Sequence, residues 1–257
     1  MTSDDALIGH TGFVGSSLRR QRDFAHLFNS ASIGEIDGRH FDDVVCAGVY
    51  AVKWWANQNP EQDRARIEGL MRRLETIRAR NFTLISTVDV YHPPARVTEH
   101  DVPSPEGLHA YGRNRAMLER FVAQHFDSHQ VVRLPALFGA GLKKNALYDL
   151  MHDNRIAVIN PASSFQWYPL DRLAFDLRIA RARSLTLLNL VTEPVVMEQI
   201  RERFFAGSVI GTDAAADMRY DVRTLHDAAF GGTGGYIMHG SHVLEAIGRF
   251  IDVERVS

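Results

Sequence analysis

A single cysteine, Cys46, stands among 257 residues, so no disulfide can close within the chain. It lies in the apolar run Val44-Val45-Cys46-Ala47-Gly48, where a buried, inert thiol is expected rather than a nucleophile. Charge of one sign is also missing. The formal net charge is −2, which leaves no basic field to hold nucleic acid or an anionic membrane. No apolar run approaches the roughly 18 residues of a membrane span. Residues 1–7 carry acidic side chains and too short an apolar stretch for a signal peptide. These absences set the expectation of a cytoplasmic protein in a reducing compartment. The 12 histidines suggest no metal, since His239-x-x-His242 has no third ligand nearby. No serine-nucleophile elbow, P-loop, internal repeat or low-complexity tract is visible.

What is present is enough for a sizeable core, with 45% of residues hydrophobic and 23% charged. Strand and helix signals alternate, as a parallel sheet with crossover helices requires. Ala6–Gly9 reads as a strand, Phe13–Gln21 as a helix and Phe24–Asn29 as a second strand. Ser30–Phe41 is too short and broken for a crossover helix, so it leads almost directly into a strand at Val44–Ala47. Pro60–Arg80 places Ile67, Leu70, Met71, Leu74 and Ile77 on one face of a long amphipathic helix. Phe82–Thr87 and Val131–Leu134 read as strands around a helix at Tyr111–Phe126, with a late strand at Leu185–Leu190 and a final helix from Ser241 to about Ile251. The fold class expected is α/β, a doubly wound parallel sheet of Rossmann type with a small C-terminal lobe. Residues 1–140 mainly form the nucleotide-binding part, and residues 141–257 mainly a substrate lobe interleaved with late strands.

Residues 8–15, Ile8-Gly9-His10-Thr11-Gly12-Phe13-Val14-Gly15, join the first strand to the first helix. Glycines let backbone pass where a side chain would block it, and the helix N-terminus offers free N–H groups to a pyrophosphate. Gly9, Thr11, Gly12, Phe13, Val14 and Gly15 are therefore candidate cofactor contacts. The spacing is G-x-x-G-x-x-G, and two further segments give it weight: Ser86-Thr87-Val88-Asp89-Val90-Tyr91 and Tyr111-Gly112-Arg113-Asn114-Arg115. Together the three segments resemble the extended short-chain dehydrogenase/reductase family of NAD(P)-dependent nucleotide-sugar epimerases, dehydratases and reductases. Arg133-Leu134-Pro135-Ala136-Leu137-Phe138-Gly139-Ala140-Gly141 is similar to the family strand that passes beneath the nicotinamide. The resemblance covers about residues 6–192 well and the remainder loosely. It departs from the family at one central position: the lysine of the family's Tyr-x-x-x-Lys pattern is Arg115 here.

The resemblance implies NAD or NADP as cofactor, a nucleotide-sugar as substrate, and a homodimer through the two long helices. It implies catalysis by Thr87, Tyr111 and Arg115, with cofactor contacts also from Asn29, Ser30, Ala47, Gly48, Leu134 and Pro135. Tyr111 and Arg115, four apart in a helix, share a face. A cation there stabilises a phenolate and brings a tyrosine toward neutral-pH chemistry. The structural reading of the same pair is that Tyr111 packs its ring and Arg115 pairs with Glu119. An arginine fork can hold two ribose hydroxyls but does not release its proton. That favours a retained-cofactor epimerase or dehydratase over a net reductase, and keeps open a non-catalytic NAD(P) sensor. At the end of the second strand Asn29-Ser30 replaces the usual ribose-binding carboxylate, leaving NAD versus NADP open. Asp89 matches half of the acid pair of the family's dehydratases. Lys143, Lys144 and Asn145 fall where the family grips the nucleotide diphosphate. Of Trp54 and Trp55, one is expected in the core and the other beside the substrate.

Overall fold

The computed structural model describes residues 4–256. Nine strands occur in chain order among them: β1 (Asp5–Ile8), β2 (His26–Phe28), β3 (His40–Cys46), β4 (Arg78–Thr87), β5 (His129–Leu134), β6 (Ala136–Phe138), β7 (Ser164–Pro169), β8 (Leu187–Asn189) and β9 (Pro194–Val196). The helices are α1 (Phe13–Gln21), α2 (Lys53–Gln58), α3 (Pro60–Leu74), α4 (Ala110–His125), α5 (Ala146–Met151), α6 (Leu173–Ala182), α7 (Met197–Phe204) and α8 (Gly240–Val256). Six strands form one sheet in the order β2-β1-β3-β4-β5-β8. The chain steps outward from β1 to β2 and then returns past β1 to β3. Both steps pair in parallel, so the strand order reverses between β1 and β3. In open α/β sheets such a reversal opens a crevice at the carboxyl ends of the strands. Ala6, Leu7 and Ile8 are buried, as expected of a parallel strand with neighbours on both sides.

Two compact units divide the chain. The first takes residues up to Pro93, Asp101–Arg133 and Ala174–Leu188; the second takes Pro94–His100, Leu134–Leu173 and the residues from Asn189 on. The core of the first contains Ile8, Val44, Leu74, Leu84, Leu118 and Val122, with Phe82 stacked on Phe126 at 4.1 Å between ring centroids. The second has its own three-stranded sheet, β6-β7-β9, and a core built on Phe138, Trp167, Val195, Ile200 and Ile247. β6 and β7 pair in parallel, whereas β9 runs antiparallel to β7.

Several expected boundaries move. The helix expected over Pro60–Arg80 stops at Leu74, because Arg78-Ala79-Arg80 is drawn into β4. His40 pairs with Arg78 and Phe41 with Ala79, so the strand expected at Val44–Ala47 also begins earlier, at His40. An Arg-Ala-Arg run suits a helix surface or a strand end equally, and pairing between distant segments decides. Ser30–Phe41 holds only one 3-10 turn, Ile33–Ile36, as its length suggested. The last helix runs beyond Ile251 to Val256. Cys46 is fully buried, and burial pushes its thiol up to about 11, which leaves it protonated near neutral pH.

Candidate active site

The glycine loop is shaped by backbone crowding. Gly9 has φ +87°, and a Cβ there would lie 2.4 Å from the Ala47 carbonyl oxygen. A Cβ on Gly15 would lie 2.1 Å from the Gly9 oxygen, and one on Gly48 2.9 Å from the Ile8 side chain. The turn after β1 and the end of β3 thus touch backbone to backbone. Gly12 differs, since a Cβ there would meet the Gly9 oxygen at 3.4 Å, an ordinary contact. Gly12 is the N-cap of α1 and makes no side-chain cap. The N–H groups of Phe13, Val14 and Gly15 occupy the first helical turn, where no intrahelical acceptor exists. Thr11 is exposed at the tip of the loop. Asn29 follows β2, and its carboxamide oxygen accepts from the N–H of Ala31 at 2.8 Å and of Ser32 at 3.3 Å, while Ser30 is exposed.

Two strands along, at the carboxyl end of β4, Thr87 and Tyr111 come together. The Asp89 N–H donates to Thr87 Oγ1 at 3.1 Å, which shapes a 3-10 turn at Val88–Val90. The first turn of α4 packs closely on that turn: a Cβ on Gly112 would lie 2.1 Å from the Asp89 carbonyl oxygen. His109 caps the helix, its Nδ1 accepting from Gly112 N–H at 3.1 Å. The Tyr111 N–H donates to Asn57 Oδ1 at 3.0 Å. These contacts set the part-buried Tyr111 phenol near the Thr87 hydroxyl.

Arg115 does not do what its position suggested. Its guanidinium lies 3.8 Å from the centroid of the Tyr111 ring, a stacked cation–π contact. All four terminal N–H groups are committed: to Asp63 Oδ2 at 2.5 Å, Asp63 Oδ1 at 3.0 Å, the Tyr50 carbonyl at 2.7 Å and the Tyr111 carbonyl at 3.1 Å. The fork expected to hold ribose hydroxyls is therefore closed on a buried carboxylate. Glu119, the other partner considered, instead pairs with Arg133 in a buried bidentate bridge. The expected lowering of the Tyr111 pKa is also corrected. Burial pushes the phenol up to about 12; Arg115 and Thr87 pull it down, but Asp89 and Asp63 oppose them. Asp89, and after it Asp63, act against the charge that Arg115 brings.

No protein-family model and no curated protein matches the sequence. Solved structures match it over nearly its whole length. The dTDP-4-dehydrorhamnose reductase of Bacillus anthracis, solved in complex with NADP, has a TM-score of 0.75 at 14% identity, covering 98% of this chain and 99% of that one. The UDP-glucose 4-epimerase of Thermotoga maritima, solved with UDP-glucose, gives 0.74 at 10% identity, with 98% of each chain covered. MoeE5, solved in complex with UDP-glucose and NAD, gives 0.70 at 18% identity, again with 98% of each covered. The chain has the fold of these reductases and epimerases.

Within that fold, a group that sequence reasoning left without a role stands at the Asp89 turn. Lys53, the first residue of α2, donates to Asp89 Oδ1 at 2.8 Å. Burial and then the Lys53 ammonium hold His109 below the ordinary imidazole value, with Asp89 acting in the opposite sense. Lys53, Asp63, Asn57 and His109 all lie outside the family's short motifs, and no local pattern ties Asp63 to Arg115. Trp55 is part-buried, with the Arg66 guanidinium 4.2 Å from its ring, and Trp54 is 64% exposed, so neither is a core residue.

The remaining candidates belong to the second unit or its border. Leu134 is buried at the end of β5, and Pro135 separates it from β6. Lys143 and Lys144 are exposed in the turn before α5. Asn145 is committed to structure. Its oxygen caps α5 by accepting from Tyr148 N–H at 3.0 Å, and its amide donates to the Leu137 carbonyl at 2.9 Å. It therefore has little left to offer a diphosphate. No helix among the described residues is long and apolar enough to cross a membrane.

Proposed function

We propose that this chain is an NAD(P)-dependent enzyme that acts at a ring carbon of a nucleotide-activated sugar. The observation that carries the reading is the approach of Tyr111, in the first turn of α4, to Thr87 at the carboxyl end of β4, in the same parallel sheet whose β1 ends in the glycine loop. The residues fit a dinucleotide. Gly9, Gly15 and Gly48 let the loop and the end of β3 close backbone on backbone, Gly12 adds no side chain at the start of α1, and the first turn of α1 presents N–H groups for a pyrophosphate. When bound, the nicotinamide supplies or takes up the hydride. The chain's own work is protonic. Tyr111 gives its phenolic proton to the sugar oxygen as that oxygen gains charge, and takes one back in the reverse direction. Thr87 donates to the same oxygen, and Asp89 contacts the sugar hydroxyls. Residues from about 141 to 257, with Lys143 and Lys144, supply the substrate lobe. The protein works in the cytoplasm as a homodimer through α3 and α4.

Lys53 favours net reduction among the possible reactions. A reductase must take one proton from solvent each turnover, and Arg115 cannot exchange one. A lysine can, and Lys53 is paired with Asp89 at a part-exposed position. Arg115 favours the other reading, an epimerase or dehydratase that recycles its protons. The test is stoichiometry. Nucleotide-linked keto-sugars are mixed with the protein and one equivalent of NADH or NADPH, the corresponding sugars with the protein and one equivalent of NAD or NADP, and absorbance and sugar conversion are followed. Net reduction consumes one reduced cofactor per product; an epimerase or dehydratase converts sugar with no net change. Sugar conversion without reduced-cofactor loss would replace the first reading with the second, and no conversion by any sugar would favour the sensor.

A further inference from the structure

At the far end of the glycine loop three donors surround too few acceptors. His10 Nδ1 lies 3.4 Å from Arg19 Nη1, and His10 Nε2 lies 3.3 Å from Asn29 Nδ2. Asn29 cannot turn its oxygen toward the ring, because Ala31 and Ser32 N–H groups already hold that oxygen. Arginine has only donors. A neutral imidazole has one acceptor nitrogen and one N–H, so one of the two contacts sets donor against donor in either tautomer. A protonated ring makes both contacts so. The cluster therefore lacks an acceptor that the described chain does not provide. It lies where β2 ends: the Gly9 N–H donates to the Phe28 carbonyl at 2.7 Å, which holds His10 beside Asn29. Arg19 and Ser30 are exposed there.

We propose that Arg19, His10 and Asn29 form a 2′-phosphate site that makes this chain select NADP(H) over NAD(H). This rests on the reading of the glycine loop as a dinucleotide site. A phosphate brings several acceptor oxygens and about two negative charges, so it satisfies every donor at once and pairs with Arg19. A 2′-hydroxyl brings one weaker acceptor and no charge. No carboxylate at the end of β2 stands against the phosphate, since Asn29-Ser30 occupies that position. Charge-assisted bonds of this kind imply NADPH binding about 10- to 100-fold tighter than NADH.

Calorimetric titration of the full chain with NADPH and with NADH tests this directly. In Arg19→Ala, NADPH affinity should fall about tenfold and NADH affinity should stay within about twofold. Arg19 is exposed, so folding is not at stake. Asn29→Asp should act more strongly, because the new carboxylate accepts from His10 and repels the phosphate, and the preference should turn toward NADH. Native protein that binds NADH as tightly as NADPH would overturn the phosphate site and leave the dinucleotide reading intact. So would an Arg19→Ala variant that weakens both equally. If neither nucleotide binds, the dinucleotide reading fails and the phosphate site fails with it.

Discussion

The β1–α1 loop and the Tyr111 turn are both set at the carboxyl ends of parallel strands, and they are built by opposite means. The loop is a backbone object. Its shape follows from places where a Cβ would stand 2.1–2.4 Å from a carbonyl oxygen, and side chains take little part. The Tyr111 turn is mainly a side-chain object, fixed by Asn57 and Lys53 of α2, Asp63 of α3, Thr87 at the end of β4 and His109 at the cap of α4. A backbone site is encoded by what is missing at a few adjacent positions. A side-chain site depends on partners that meet only after folding, and its chemistry can change through one distant residue such as Asp63.

The contrast can be broken by substitution. The largest effect is expected at Gly15→Val. Its side chain would meet the Gly9 oxygen, so the loop should not close and cooperative urea unfolding should be lost or greatly weakened. Gly12→Val sharpens the same point from the other side. Its Cβ has room, so stability should change by no more than about 1 kcal/mol, while dinucleotide binding in calorimetry disappears. If the two variants behave alike, the loop is not organised by backbone crowding.

On the side-chain half, Asp63→Ala leaves the Arg115 guanidinium buried without its carboxylate and should cost about 3–5 kcal/mol in urea unfolding. Arg115→Lys, which introduces the lysine of the pattern the sequence resembles, should also destabilise, because an ammonium cannot hold both Asp63 oxygens and the Tyr50 carbonyl. A stable Arg115→Lys protein with raised activity would show that the pair is not what fixes this turn. Tyr111→Phe keeps the stacked ring and removes the proton donor, so turnover in the cofactor assay should fall about 10²- to 10⁴-fold with binding unchanged.

The smallest effect lies in alkali. Tyr111 is held at about 12 in the folded chain, above the value of 10.0 for a free phenol. Between those values the unfolded chain releases a proton that the folded one keeps, so stability should fall as pH rises from about 10 to about 12. Tyr111→Phe should show a shallower fall over that window. Equal slopes would mean the phenol is not shielded as described.

The parallel α/β class and the glycine loop were legible in sequence because each is encoded locally, by alternating apolar runs and by residues that lack a Cβ. That Tyr111 comes near Thr87 was legible through spacing and resemblance. The fate of Arg115 was not. Four positions along α4, Glu119 is the partner that helix geometry offers, yet it is taken by Arg133, while Asp63 reaches Arg115 from α3. The same limit explains α3 ending at Leu74, since a strand partner at His40 cannot be seen from Arg78 alone.

The division into units has a consequence for how the protein is made. The first unit closes with α6 and β8, which follow a long stretch of the second unit in the chain. A ribosome that has delivered residue 140 has supplied the glycine loop and Tyr111 but not the strand that flanks β5. Until residue 188 emerges, β5 is an open edge that other nascent chains could pair with. Order of synthesis and order of assembly are therefore out of step in this chain, and neither unit can be obtained by cutting the gene at a single point.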